Sequence, residues 1–202
     1  MAKQVLIING SYREAGFTDL MVGIMKARLE EAGIATETLL LREIPIEFCR
    51  NCRNCTQGEG NAPGECVIDD GMLAVIEKLE AADGYIFASP TNYGTVTALF
   101  KRFLERMTVY GYWPWGTPAP AYRKKETKAA LCVSSCAAPS LVGRIDFNTL
   151  KTLKMAARNV GAKVVDTQLI GLVSNEKEPA VSPRERRQIE RSVQKLIDAL
   201  CR

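Results

Sequence analysis

The chain has 202 residues, 27 basic and 23 acidic, a formal charge of +4 and 47% apolar content, ordinary values for one globular domain able to build its own core. It contains no histidine, which excludes Ser-His-Asp and Cys-His triads, HExxH and two-Cys-two-His zinc sites, Rieske centres and His-ligated haem. Proton transfer is left to Cys, Tyr, Lys, Asp or Glu, or to a bound cofactor.

From the amino end, Met1-Ala2-Lys3-Gln4 leads into only four consecutive large apolar residues, Val5 to Ile8. That run suits a first strand and is too short for a signal-peptide core or a membrane span; the expectation is a cytoplasmic protein with no membrane role. Leu20, Ile24, Met25 and Leu29 predict the first helix, and Thr38 to Leu41 the second strand. Met72, Val75, Ile76 and Leu79 follow helical spacing, Tyr85 to Ala88 a third strand, and Val96, Leu99, Phe100, Phe103 and Leu104 a helix beginning near Thr95. Ala129 to Val133 and Lys163 to Ile170 are strand-like, with Leu150, Leu153, Ala157 and Val160 helical between them. Ser182, Pro183 and Glu185 predict a capping box opening a last helix striped with Ile189, Val193, Leu196, Ile197 and Leu200. Such alternation predicts an α/β domain over residues 1–202, a doubly wound parallel sheet of five strands in the order 2-1-3-4-5 with helices on both faces. Two segments interrupt it and read as functional loops: a cysteine-rich one, 48–67, and an aromatic one, 107–127. Arg123, Lys124, Lys125 and Lys128, like Arg184, Arg186 and Arg187, read as solvated faces rather than a nucleic-acid surface.

In an open α/β sheet a ligand sits where the strand order reverses, after strands one and three. The first loop, Gly10-Ser11-Tyr12-Arg13-Glu14-Ala15-Gly16-Phe17-Thr18, is neither a P-loop nor a dinucleotide fingerprint. It places hydroxyls, an Arg and two glycines at a helix opening suited to phosphate; the plainer alternative is a turn with Thr18 capping the helix. The second, Ser89-Pro90-Thr91-Asn92-Tyr93-Gly94, suits a flat ring that accepts hydrogen bonds, or is a Pro-Gly turn with Tyr93 packed locally.

Gly10-Ser11-x-Arg13-x-x-Gly16-x-Thr18, then Asp69-Asp70, then Ser89 to Gly94 and Lys101-Arg102-Phe103-Leu104-Glu105-Arg106 together resemble the NADPH-dependent FMN reductase family of flavodoxin-like proteins, over roughly residues 4 to 106. The resemblance implies that Ser11, Arg13, Phe17 and Thr18 surround the FMN phosphate. Phe17 stands where the family usually has a small polar residue, leaving its backbone N–H as donor. Pro90, Thr91, Asn92, Tyr93 and Gly94 would lie against the isoalloxazine, and Ser134, Ser135 and Cys136 along its other edge.

Cys49, Cys52, Cys55 and Cys66 fall within 18 residues. CxxCxxC is the dense part of bacterial-type iron-sulfur ligation, and Gly58, Gly60, Pro63 and Gly64 let the chain turn back to a fourth thiolate. A [4Fe-4S] cluster, a four-thiolate zinc site and thiols without metal are the three readings, with Arg50 and Arg53 near enough in sequence to offset thiolate charge. The pattern resembles the iron-sulfur flavoprotein branch of the same family, which implies a cluster exchanging electrons with FMN; the ten residues before Cys66 are a longer gap than that branch usually has. Cys132 and Cys201 read as packing residues, and Cys136 as a neighbour of the flavin edge.

The aromatic loop, Tyr110-Gly111-Tyr112-Trp113-Pro114-Trp115-Gly116, reads either as a dimer contact covering the flavin pocket or as a loop folded over its own rings. The expectation is an FMN-dependent oxidoreductase, with NAD(P)H or a one-electron carrier as donor, a small molecule or protein as acceptor, and a homodimer or homotetramer as assembly. Its alternatives are a cluster-free NAD(P)H-dependent FMN or quinone reductase and, from another class, a cofactor-free binding module of flavodoxin fold.

Overall fold

A computed structural model describes residues 3–173 and 177–202; Met1 and Ala2 of the amino-terminal reading lie outside them. Five parallel strands form the sheet: β1 (Gln4–Asn9), β2 (Ala35–Leu40), β3 (Gly84–Ala88), and two more that follow a short antiparallel hairpin, β4 (Gly111–Tyr112) with β5 (Ala121–Tyr122). These last two sheet strands are β6 (Lys128–Ser135) and β7 (Ala162–Ile170). The order β2-β1-β3-β6-β7 is the predicted 2-1-3-4-5 arrangement.

The physical reason is visible along β1. Val5 and Ile7 enter one core with α1 (Phe17–Glu31) and α6 (Pro183–Leu200). Leu6 and Ile8 enter the other with α2 (Met72–Ala81), α3 (Ala98–Arg106) and α5 (Thr149–Asn159). Side chains alternate across a strand, so a strand apolar at every position needs helices on both faces.

The capping box forms as expected: Ser182 accepts from the Glu185 amide and Glu185 from the Ser182 amide. One expected helix opening is corrected, and the alternative reading of another is excluded. Helix α3 starts at Ala98 rather than near Thr95, because Thr97 takes the cap and accepts from the Phe100 amide at 3.2 Å. Helix α1 is opened by Gly16, not capped by Thr18, whose hydroxyl is buried against Ser135 at 3.1 Å. A six-residue helix, α4 (Ser140–Ile145), escaped the sequence pattern because its apolar residues Leu141, Val142 and Ile145 face outward rather than the core. No helix among the described residues is long and apolar enough to cross a membrane.

Candidate cofactor cleft and thiol loop

A cleft of about 310 Å³ opens at the carboxyl ends of β1, β3 and β6. Of the expected cofactor residues, Ser11, Arg13, Phe17, Thr18, Pro90, Thr91, Asn92, Ser135 and Cys136 line it, joined by Tyr12, Gly16, Thr97, Ala137 and Val173. Three expected residues do not. Ser134 is turned under the cleft, its hydroxyl 3.2 Å from that of Thr91, which in turn lies 2.8 Å from Thr149. Tyr93 and Gly94 are the two central residues of a tight turn, with φ of +47° and +76°. Asn92 and Thr95 close it by exchanging backbone hydrogen bonds of 2.8 and 3.1 Å. That geometry is the type I′ turn, and it leaves the Tyr93 ring fully exposed.

Helix α1 opens into the cleft at Gly16 with no side-chain cap among the described residues, so its first-turn amides and dipole are available to an anion. Close packing shapes the floor. A Cβ on Gly10 would meet the Phe100 Cβ at 2.8 Å, and the Thr97 hydroxyl donates to the Gly10 carbonyl at 2.6 Å. Arg13 reaches over to donate to the Lys177 carbonyl. Burial pushes the Cys136 thiol up, and its Sγ donates to the Ala138 carbonyl at 3.2 Å.

Sequence reasoning missed the support beneath this loop. Asp19, in the first turn of α1, accepts from Asn9 Nδ2 at 2.6 Å, from the Ala15 amide at 3.0 Å and from Arg42 Nη2 at 3.1 Å. Arg42 Nη1 also donates to the Ser11 carbonyl at 3.3 Å. An Asp in the first turn of a helix was a legible signal; its partner 23 residues away was not.

The cysteine loop leaves β2 and packs against the far end of α3. Burial pushes the Cys55 thiol up to about 11, and the neighbouring Cys66, Cys49 and Cys52 push the same way, so the four groups share one electrostatic neighbourhood. Arg106, at the end of α3, lies with Nη2 3.6 Å from Cys66 Sγ and forms a buried pair with Asp70. Burial works against ionised Asp70, yet the hydrogen bonds from Arg106 and from the amides of Glu47 and Met72 hold its carboxyl below the usual range.

Two expectations change here. Arg123 is not on a solvated face: it is 6% exposed and donates to the carbonyls of Gly111, Gly60, Cys55 and Gly58. Lys128, from the same run, is half-buried and donates to Tyr85 Oη at 3.0 Å. Cys132 is buried as expected, but Cys201 is exposed at the end of α6 and packs against no core.

The donor sets can be tested against the groups they would hold. The cleft combines a helix opening, hydroxyls and an Arg at one end with loop backbone at the other, which fits a phosphate-bearing ring system. A larger cavity of about 860 Å³ beside Cys66 is edged by Glu65, Asp69, Glu77 and Glu80, carboxylates that would repel a phosphate. In the thiol loop, no three Cys, Asp or Glu side chains among the described residues are placed to share a single ion. A cubane asks for something else, one thiolate per iron, and four thiols on one loop match that in kind and number.

The family model for NADPH-dependent FMN reductase matches residues 4–146. A segment of 107 residues is 36% identical to an iron-sulfur flavoprotein of Archaeoglobus fulgidus, covering 53% of this chain and 46% of that one. Another of 103 residues is 33% identical to an iron-sulfur flavoprotein of Methanocaldococcus jannaschii, covering 51% of each. The chain thus spans about half the length of these curated relatives. Among solved structures, an FMN-dependent NADH-azoreductase from Bacillus anthracis in complex with FMN superposes with a TM-score of 0.69 at 11% identity, over 96% of this chain and 100% of that one. A flavodoxin from the domain Archaea gives 0.59 at 9% identity, over 99% of each. Likeness at such identities establishes a flavodoxin-like fold.

Proposed function

The chain belongs to the NADPH-dependent FMN reductase family, and on that premise we propose that it is an FMN-dependent oxidoreductase whose four clustered cysteines hold a [4Fe-4S] cluster. The observation that carries the reading is the pairing of two sites on one helix. Thr97, the cap of α3, supports the floor of the cleft, and Arg106, its last residue, touches Cys66. Nine residues of helix, roughly 13 Å, connect the two.

Ser11, Arg13 and the amides opening α1 at Phe17 and Thr18 would hold the phosphate. Pro90, Thr91 and Asn92 would line one side of the ring, and Ser135 and Cys136 the other. Cys49, Cys52, Cys55 and Cys66 would supply one thiolate each, with Arg106 donating to the Cys66 sulfur. FMN, when bound, supplies hydride and one-electron chemistry, and a four-iron cluster supplies one-electron exchange. The names of the curated relatives support the second group. NAD(P)H or a one-electron carrier would be the donor and a small molecule or protein the acceptor, in a homodimer or homotetramer. A loop of reduced thiols suits the cytoplasm.

Anaerobic purification, a visible spectrum and iron, sulfide and flavin content per chain test the reading. The expected result is FMN with about four iron and four sulfide, one iron per thiolate. FMN without iron, persisting after anaerobic reconstitution, would leave a cluster-free NAD(P)H-dependent FMN or quinone reductase. Protein that binds no flavin would leave a binding module.

A further inference from the structure

The thiol loop is fastened by a segment that neither ligates nor lines the cleft. Its only regular piece is a single helical turn, Asn54–Thr56. Two of its non-glycine residues, Asn51 and Arg53, are held in the left-handed region at φ +52° and +62°, where side chains crowd the backbone. A loop of that kind keeps one shape only if its surroundings impose it.

The surroundings come from the aromatic segment 107–127. The Arg53 guanidinium lies over the rings of both Trp113 and Trp115, 3.8 and 4.1 Å from their centroids, while its Nη2 donates to the Trp113 carbonyl at 2.6 Å. The backbone repeats the contact: the Trp113 amide donates to the Thr56 carbonyl at 2.8 Å and the Trp115 amide to Gln57 Oε1 at 3.0 Å. From beyond β5, Arg123 gathers the carbonyls of Cys55, Gly58 and Gly60 at 3.2, 2.7 and 3.2 Å. The Gly64 amide donates to the Val109 carbonyl at 2.8 Å, and a Cβ on Gly64 would lie 1.8 Å from the Cys55 carbonyl oxygen, so the arm leading to Cys66 passes directly over Cys55. Among the described residues, neither Arg53 nor Arg123 has a carboxylate at ion-pair distance. Their positive charges are therefore left to the loop.

We propose that the aromatic segment is an intramolecular clamp that holds the thiol loop in one ordered shape before metal arrives, with Arg53 and Arg123 as its positioning residues. The ordering cost of the loop is met when the chain folds rather than when metal binds. The metal-binding half of this rests on the proposed function; the clamp itself does not.

The test uses the full chain without metal. Backbone hydrogen exchange over residues 53–57 and alkylation rates of Cys49, Cys52, Cys55 and Cys66 are compared in wild type, Arg53→Ala, Arg53→Lys and Trp113→Ala. Flavin content and Tm report that the fold is intact, and Arg123→Lys, which loses the fork that gathers three loop carbonyls, is expected to speed Cys55 labelling in the same direction. The expected result is exchange and Cys55 labelling about tenfold faster in Arg53→Ala and Trp113→Ala, partly restored by lysine, with FMN binding unchanged. Rates equal to wild type in both alanine variants would overturn the clamp. Anaerobic reconstitution then separates the two ideas. If wild type takes up iron and Arg53→Ala loses it to a chelator no faster, the claim that the clamp serves metal binding is overturned. If wild type takes up none, the reading of the cysteines as ligands falls while the exchange rates still decide the clamp.

Discussion

Arg42 acts on the cleft from outside any motif, whereas Tyr93 belongs to one and stays out of the cleft. Asp19 brings a negative charge into the first turn of α1, close to where the phosphate of FMN would sit, and Arg42 answers it at 3.1 Å while holding the Ser11 carbonyl. Removing the guanidinium leaves Asp19 opposing the anion. Arg42→Ala is expected to weaken FMN binding roughly tenfold, the scale of one hydrogen bond to a charged group, and Arg42→Lys less; fluorescence titration of apoprotein measures both. An unchanged Kd would show that the loop keeps its shape without Arg42. Tyr93 shows the reverse arrangement, an exposed ring on a left-handed backbone at φ +47°. Glycine is relaxed there, so Tyr93→Gly is expected to stabilise the chain by roughly 1 kcal/mol. Should FMN affinity survive that change, Tyr93 has no part in holding the ring.

At the level of elements, the parallel sheet was legible because its central strands β1, β3 and β6 are apolar at both parities, and the last helix because Ser182, Pro183 and Glu185 spell its start. Helix openings over the cleft were not legible, since the threonine that opens one and the threonine that leaves the other uncapped are both tied to the site. Thr18 has the chemistry of a cap, but its hydroxyl is spent on Ser135 across the cleft floor. Thr97 caps α3 and also donates to Gly10, so one hydroxyl starts a helix and fixes the first loop. Thr97→Ala should therefore cost about 1–2 kcal/mol of stability as a lost cap, and it should weaken FMN binding as well, whereas Thr97→Ser keeps both bonds within reach. Thermal unfolding alongside FMN titration separates the two losses; a stability loss with FMN affinity intact would confine Thr97 to capping.

On the scale of the whole molecule, the cysteine spacing announced the thiol loop, but nothing near it in sequence announced what holds it. Cys66 meets Arg106 across 40 residues and Cys55 meets Arg123 across 68, and a basic run read without its partners looks like a solvated face. The Arg106–Asp70 pair is the deepest of these long-range ties, with side chains 1% and 6% exposed. It joins the end of α3, the approach to α2 and, through the Glu47 carbonyl and amide, the chain entering the thiol loop. Asp70→Asn would leave the Arg106 charge buried without its counter-ion, a loss of about 3–5 kcal/mol and roughly 10 °C in Tm for a chain of this size. The acid side follows from the same pair. Because the folded carboxyl titrates below its ordinary value of 3.8, its contribution is complete above that value and is lost as the pH falls through the lower one. Wild type should lose stability steeply below about pH 4, and Asp70→Asn, having already lost this contribution at neutral pH, should show a shallower acid slope in urea unfolding. Equal slopes would mean that other carboxylates govern acid unfolding and that this pair ties the layers together less than its burial implies.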